Sequence, residues 1–265
     1  MDKAVVIVET RHIDVDLVIN NHMPFLDKGW ELVVFHGPHN GHIFEKLTKH
    51  RLNLGRDIDK NGYSDVLVSQ DFWLSIPAEK ILIFQHDSGL LRTGIEEFLE
   101  WDYVGAPWFG GIGGQPYPLS GGNGGLSLRT RSVMLNIVRN RAFVNGWMAS
   151  EDFYFSRHVP EFGRLAPREV CKKFSCEMAF EFGTLGYHGL EKYLNKFSSR
   201  AIKMQYIKNG ITENFDEEYY LGTYPDVKAA VESKQYQSGL SHFIQYGIYE
   251  NRCVNRNNTI YEIWD

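Results

Sequence analysis

The sequence has little cysteine, no long apolar run and no surplus of positive charge. Its three cysteines, Cys171, Cys176 and Cys253, are an odd number, and 265 residues can bury a core without staples. A disulfide framework is therefore not expected, and a reducing compartment fits. Cys171 and Cys176 have no second Cys or His pair nearby, which argues against structural zinc. No stretch approaches the roughly 20 apolar residues of a membrane span. The run Ala4–Val8 is too short for a signal-peptide core and meets Glu9 and Arg11 at once. The expectation is a cytoplasmic protein with no transmembrane segment, any membrane attachment being peripheral. The net charge is −5, and residues 211–265 carry all of it, with nine acidic and four basic side chains. Residues 1–210 balance at 24 of each sign, so the body lacks the electropositive surface that nucleic-acid binding needs.

Hydrophobic residues at 43% and charged residues at 23% are ordinary globular usage, which excludes wholesale disorder. Glycine is abundant, and nine of its 25 copies fall between Gly105 and Gly125. Ala4–Val8 and Lys80–Phe84 are apolar, β-branched runs of the kind found in strands covered on both faces. Glu31–Phe35, Tyr103-Val104 and Leu126–Arg129 read as further strands, and Asp65–Val68 as a third strand of the first half. Helical spacing covers 13–28, 42–49, 95–101, 131–141 and 153–158, the last with Ser150 as cap. Strands alternating with helices predict an α/β fold with a mostly parallel sheet flanked by helices. The last 55 residues are acidic and aromatic, with helical spacing at Phe215–Leu221, after Tyr224-Pro225, and at Ser238–Tyr249. They predict a small all-α module, dividing the chain into 1–205 and 206–265.

Four polar constellations stand out. In Gln85-His86-Asp87-Ser88-Gly89, a carboxylate at a strand end can hold a hard cation, although Asp-Ser-Gly is also ordinary turn composition. In Ser120-Gly-Gly-Asn-Gly-Gly-Leu-Ser-Leu-Arg129, two glycine pairs let the backbone approach a ligand closely, while Asn123 can pair with sugar hydroxyls. A hairpin is the plain alternative there, but it needs only one glycine. No Gly-Lys-Ser/Thr follows, which excludes a phosphate loop. Glu151-Asp152 sits at a helix start, where the dipole alone accounts for paired acids and where one carboxylate can also take a proton. His188, between glycines, suits a metal or phosphate contact, or is a plain loop histidine.

Taken in this order, the four pieces resemble the nucleotide-sugar glycosyltransferases of the GT-A fold. Gly105-Ala-Pro-Trp108, Gly121–Arg129 and Glu151-Asp-Phe-Tyr-Phe155 look most like a bacterial and viral glycosyltransferase group known mainly as a domain of unknown function. The resemblance covers roughly residues 3–195 and implies a GT-A-like, Rossmann-type sheet. It implies base and ribose contacts at Glu9, Thr10 and Arg11, with Gln85 and His86 also on the donor. It places the transferred sugar at Gly122, Asn123 and Gly124, with Arg129 anchoring the motif or the diphosphate. Asp152 matches the general base of inverting members, and Glu151 is the second choice. The Asp-x-Asp element is incomplete, since His86-Asp87-Ser88 offers one carboxylate. Mn²⁺ or Mg²⁺ would rest on Asp87 with His188.

The resemblance further implies a UDP-sugar donor and a glycan acceptor. Trp108, Phe109, Tyr117 and Trp147 are candidates for an acceptor platform, and Gly110–Pro118 for a lid. The C-terminal piece resembles a helical module often attached to such enzymes, with packing or self-association as its possible roles. Two other readings stay open. One is a catalytically silent nucleotide- or sugar-binding module, and the other is a metal-dependent hydrolase using Asp87, His86 and His188.

Overall fold

The computed structural model describes residues 2–13, 15–108, 111–112, 115–116, 121–144, 150–177, 184–189, 215–247, 250 and 252–253. The chain divides into two compact units, Met1–Asn195 and Lys196–Asp265. In chain order the first unit runs β1 (Lys3–Glu9), α1 (Val15–Asn20), β2 (Trp30–His36), β3 (His50–Asn53), α2 (Lys60–Leu67), α3 (Gln70–Ser75), β4 (Lys80–Phe84), β5 (Ser88–Leu90), β6 (Tyr103–Ala106), β7 (Gly111–Ile112), β8 (Gln115–Pro116), β9 (Asn123–Thr130), α4 (Arg131–Asn140), α5 (Glu151–Phe162), α6 (Arg168–Phe174), β10 (Ser175–Cys176) and β11 (Gly186–His188).

The main sheet has the order β3-β2-β1-β4-β9-β6. Its β3/β2, β2/β1 and β1/β4 pairs are parallel, while β4/β9 and β9/β6 are antiparallel. This is the mixed, mostly parallel α/β sheet expected from the sequence. The continuous apolar strands follow from burial on both faces. Along β1, Ala4, Val6 and Val8 join the core under α2–α5, while Val5 and Ile7 join the core under α1 and α6. A second sheet, β10-β11-β5, attaches the end of the unit to the turn after β4.

Two local expectations are corrected. Asp65–Val68 is not a strand but the end of α2, whose N-cap Asp59 accepts a hydrogen bond from Gly62 N at 2.8 Å. Val66 and Leu67 face the core, and Ser69 caps α3 through Phe72 N. The third strand is instead β3, His50-Arg-Leu-Asn53, which directly follows the predicted 42–49 helix. That segment holds only a 3₁₀ turn, Gly41–Phe44. β3 shows no apolar run because it is a sheet-edge strand whose residues other than Leu52 are exposed and polar.

Within the second unit the described elements are helical: α7 (Glu217–Thr223), α8 (Pro225–Glu232) and α9 (Gly239–His242), followed by a π turn. Tyr220, Val227 and Phe243 form its buried core. Glu217 accepts from Gly239 N at 2.6 Å and Leu240 N at 3.1 Å, capping α9 from another helix. Among the described residues, no helix is long and apolar enough to cross a membrane.

Candidate functional site

Parallel β1 and β4 end at the sheet edge where antiparallel β9 begins. Ile7 pairs with Phe84, Phe84 with Leu126, and Gln85 N donates to Gly125 O at 2.8 Å. Three polar segments far apart in sequence therefore meet where open α/β sheets hold their ligands.

At the end of β1, buried Glu9 takes hydrogen bonds from Arg11 N and Nε at 2.8 Å each and from Nη2 at 2.6 Å. The Glu9 hydrogen bond raises the Arg11 pKa against partial burial, and Asp87 adds to it. The Arg11 Nη2 also lies 2.9 Å from His86 Nδ1, joining the first two segments. Thr10 Oγ1 accepts from Ile58 N at 3.1 Å. Asn40, unremarked in the sequence, is fully buried. Its Nδ2 donates to Glu9 O and Arg11 O at 2.9 Å, and its Oδ1 accepts from Gly37 N at 2.8 Å, so it ties the ends of β1 and β2 together.

The turn after β4 is clamped from both sides. Buried His22 places Nδ1 2.7 Å from Val18 O and Nε2 3.1 Å from Ser88 Oγ. Burial lowers its pKa to about 4 against the pull of the Val18 carbonyl, so His22 is neutral at pH 7, with its proton on Nδ1. On the other side, β11 pairs His188 with Ser88, and Gly189 N donates to Asp87 O at 2.9 Å.

That pairing brings His188 to Asp87, 101 positions away. His188 Nε2 lies 3.0 Å from Gln85 Oε1 and 3.4 Å from Asp87 Oδ1, and Nδ1 lies 3.3 Å from Glu177 Oε1. Burial disfavours the imidazolium, but Asp87 and Glu177 outweigh it and raise the pKa to about 9. Glu177, itself buried, was not visible in the sequence, where it merely follows a two-residue strand.

The third segment carries the acids. Gly121 and Gly122 adopt φ of +93° and +87°, and a Cβ on Gly122 would overlap Ala106 O, at the irregularity between β6 and β9. The next glycine pair makes room for side chains. A Cβ on Gly124 would overlap Glu151 Oε1, and one on Gly125 would overlap the His188 ring. Arg129, fully buried, donates Nη1 to Glu151 Oε2 at 2.6 Å and Nε to Ser127 Oγ at 2.9 Å, and lies over the rings of Tyr103 and Phe155. Burial works against this cation, and Glu151 more than compensates. Burial pushes the Glu151 carboxyl up, and Arg129 pulls it back.

Among the described residues, Asp152 has no such cation. Its Oδ1 accepts from Ser150 Oγ and from Phe153 N (2.8 Å), and its Oδ2 accepts from Gly124 N at 3.3 Å. Ser150 spends its hydroxyl on Asp152 and makes no side-chain cap. Tyr63 of α2 lies within the electrostatic reach of Glu151, Asp152 and Arg129, and burial pushes its phenol pKa up.

Asp87, His188 and the Gln85 amide oxygen are the groups here that could hold a divalent cation. Neighbouring ligands on bonds near 2.1 Å stand about 3.0 Å apart, and somewhat farther at wider angles. The Gln85–His188 and Asp87–His188 separations of 3.0 and 3.4 Å match that spacing. Among the described residues no group of three His, Cys, Asp or Glu assembles, so the third donor would be the Gln85 amide oxygen. Trp108 is buried and stacked on Phe153, with ring centroids 4.4 Å apart. Phe109, Tyr117, Trp147 and most of 110–118 lie outside the described residues.

No curated protein matches the chain. Among solved structures, the apo-form glycosyltransferase GlyE of Streptococcus pneumoniae TIGR4 is similar at a TM-score of 0.47 and 9% identity. The similarity covers 78% of this chain and 60% of that one. A family model matches residues 48–188, a span that holds Gln85, Asp87, Asn123–Arg129, Glu151, Asp152, Glu177 and His188 and ends on that histidine. The chain belongs to the family described as "Protein of unknown function (DUF5672)", whose match holds two of the three segments of this centre.

Proposed function

We propose that this chain is a glycosyltransferase that moves a sugar from a nucleotide-sugar donor, a UDP-sugar, to a glycan hydroxyl with inversion. The observation that carries the reading is the meeting of Glu9–Arg11, Gln85–Asp87 with His188, and Asn123–Asp152 at one sheet edge. A donor needs a place for its base and ribose, a place for its diphosphate, and a base on the far face of its sugar. In this reading Glu9, Thr10 and Arg11 take the nucleoside, with His86 beside them. Gly122, Asn123 and Gly124 face the transferred sugar.

Asp152 removes the proton of the acceptor hydroxyl, whose oxygen attacks the anomeric carbon as the bond to the diphosphate breaks. Three donors fix its carboxylate in place. Arg129 cancels the neighbouring Glu151 charge, so Glu151 serves as a buttress and Asp152 as the base. Asp87, His188 and the Gln85 amide would hold Mn²⁺ or Mg²⁺, which when bound supplies positive charge to the leaving diphosphate.

The test is a panel of sugar nucleotides assayed for nucleoside diphosphate release, alongside calorimetric titration of UDP with and without Mn²⁺. Release from one donor supports the reading. Tight UDP binding without turnover on any donor and acceptor would leave a silent binding module. Phosphoester hydrolysis without any sugar nucleotide would point to a hydrolase.

A further inference from the structure

We propose that Asn40 is a positioning residue for nucleotide binding: it fixes the backbone on both sides of Thr10 and so sets where the Arg11 guanidinium meets a nucleoside diphosphate. The proposal rests on the nucleotide reading above and adds a residue that the reading does not require. Three observations carry it.

First, the Asn40 side chain is committed to the end of β1. Its Nδ2 donates to Glu9 O and to Arg11 O at 2.9 Å each, and its Oδ1 accepts from Gly37 N at 2.8 Å. Two carbonyls on one side and an N–H on the other permit only this orientation of the amide. Asn40 stands at the start of the 3₁₀ turn Gly41–Phe44, where Asn is a favoured cap, yet it makes no cap bond there. It is fully buried, so water is not at hand to take over its bonds.

Second, the segment it holds turns one side chain outward. Thr10 Oγ1 is engaged by Ile58 N at 3.1 Å, and both Glu9 carboxylate oxygens are engaged by Arg11. The Glu9 side chain is 5% exposed and the Arg11 side chain 61%. Arg11 Nη2 lies 2.9 Å from His86 Nδ1, which places the guanidinium beside the turn after β4. Third, the surrounding chain leaves little slack. A Cβ on Gly37, whose N–H Asn40 receives, would meet Asp57 Oδ1 and Thr10 Cβ.

A guanidinium is a planar fork of donors suited to phosphate oxygens. A long side chain loses less entropy on binding when it is already held in place. Glu9 holds the Nε and Nη2 edge, and Asn40 holds the backbone from which the side chain starts. Loss of Asn40 therefore acts on the ligand through Arg11, and this is what separates positioning from a general structural role.

The test is calorimetric titration of the full chain with UDP, for wild type, Asn40→Ala, Arg11→Ala and the double variant. Arg11→Ala is expected to bind about 10–100-fold more weakly, as for a lost charge-assisted hydrogen bond. Asn40→Ala is expected to bind about tenfold more weakly than wild type, but to change affinity less than about twofold when Arg11 is already Ala, since residues that act through one another are not additive. The Arg11 Nε–H signal in ¹⁵N NMR, set by the bond to Glu9, is expected to shift in Asn40→Ala. Equal losses in the two backgrounds, an unmoved Arg11 signal, or wild-type affinity in either single variant overturns the proposal and leaves the nucleotide reading standing. Absence of UDP binding by wild type overturns both. Should Asn40→Ala fail to fold, Asn40→Asp decides. It keeps an acceptor for Gly37 N but, ionised, cannot donate to Glu9 O and Arg11 O, and the same pattern of losses is expected of it.

Discussion

The buried Arg129–Glu151 pair allows a prediction that separates architecture from chemistry. The guanidinium is fully buried and meets Glu151 at 2.6 Å. Glu151→Ala would strand this cation in the core, and breaking a buried pair in that way costs about 3–5 kcal/mol. The total stability of a domain is about 5–15 kcal/mol, so the loss is a large fraction of it. With a urea slope near 2–3 kcal/mol/M for a unit of this size, the midpoint should fall by roughly 1–2 M. Replacing both partners, Arg129→Met with Glu151→Leu, should recover most of the loss, since apolar substitutes of similar volume are often neutral or better. Urea unfolding followed by tryptophan fluorescence compares wild type, Glu151→Ala and the double variant. A loss under about 1 kcal/mol for Glu151→Ala would refute the buried pair. A folded Glu151→Gln that loses turnover as completely as Asp152→Asn would refute the buttress role and make Glu151 the base.

Other outcomes follow from single contacts. Gly125→Ala sets a Cβ against the His188 ring and should cost about 1–3 kcal/mol, measured by urea unfolding, while weakening Mn²⁺ binding at least tenfold. His22 has a folded pKa near 4, below the unfolded value of 6.5, so its contribution is complete above pH 6.5 and lost as pH falls toward 4. The loss amounts to about 3 kcal/mol, and His22→Gln should flatten the urea midpoint between pH 6.5 and 4; an unchanged slope would contradict the neutral buried ring. Glu217→Ala removes the acceptor for two α9 amides, so exchange of Gly239 and Leu240 should quicken by roughly 3–30-fold, as for a lost helix cap.

The parts of this fold that were legible are those whose signal is local. β1 and β4 announce themselves as apolar runs because both sheet faces are covered, and their polar ends meet at one sheet edge. The Asn123–Arg129 stretch was legible as more than a hairpin because of its extra glycines. The partners behind two of them, Glu151 and His188, lie 27 and 63 residues downstream, so the sequence could not say that protein side chains fill that space. β3 was hidden by its polar, edge-strand composition, and α2 by a short apolar run that suits either element. Asn40, His22 and Glu177 went unnoticed for a related reason. Each acts on a segment distant along the chain, and nothing in its own neighbourhood marks it.

The most direct test of the account compares wild type with Asp152→Asn for nucleoside diphosphate release from the active sugar nucleotide in the presence of acceptor. Asn keeps the size of Asp152 and can accept hydrogen bonds, but it cannot take the acceptor's proton. The account predicts a loss of about 10²–10⁴-fold in turnover, with donor affinity and urea midpoint little changed. Turnover by Asp152→Asn at the wild-type rate would contradict it.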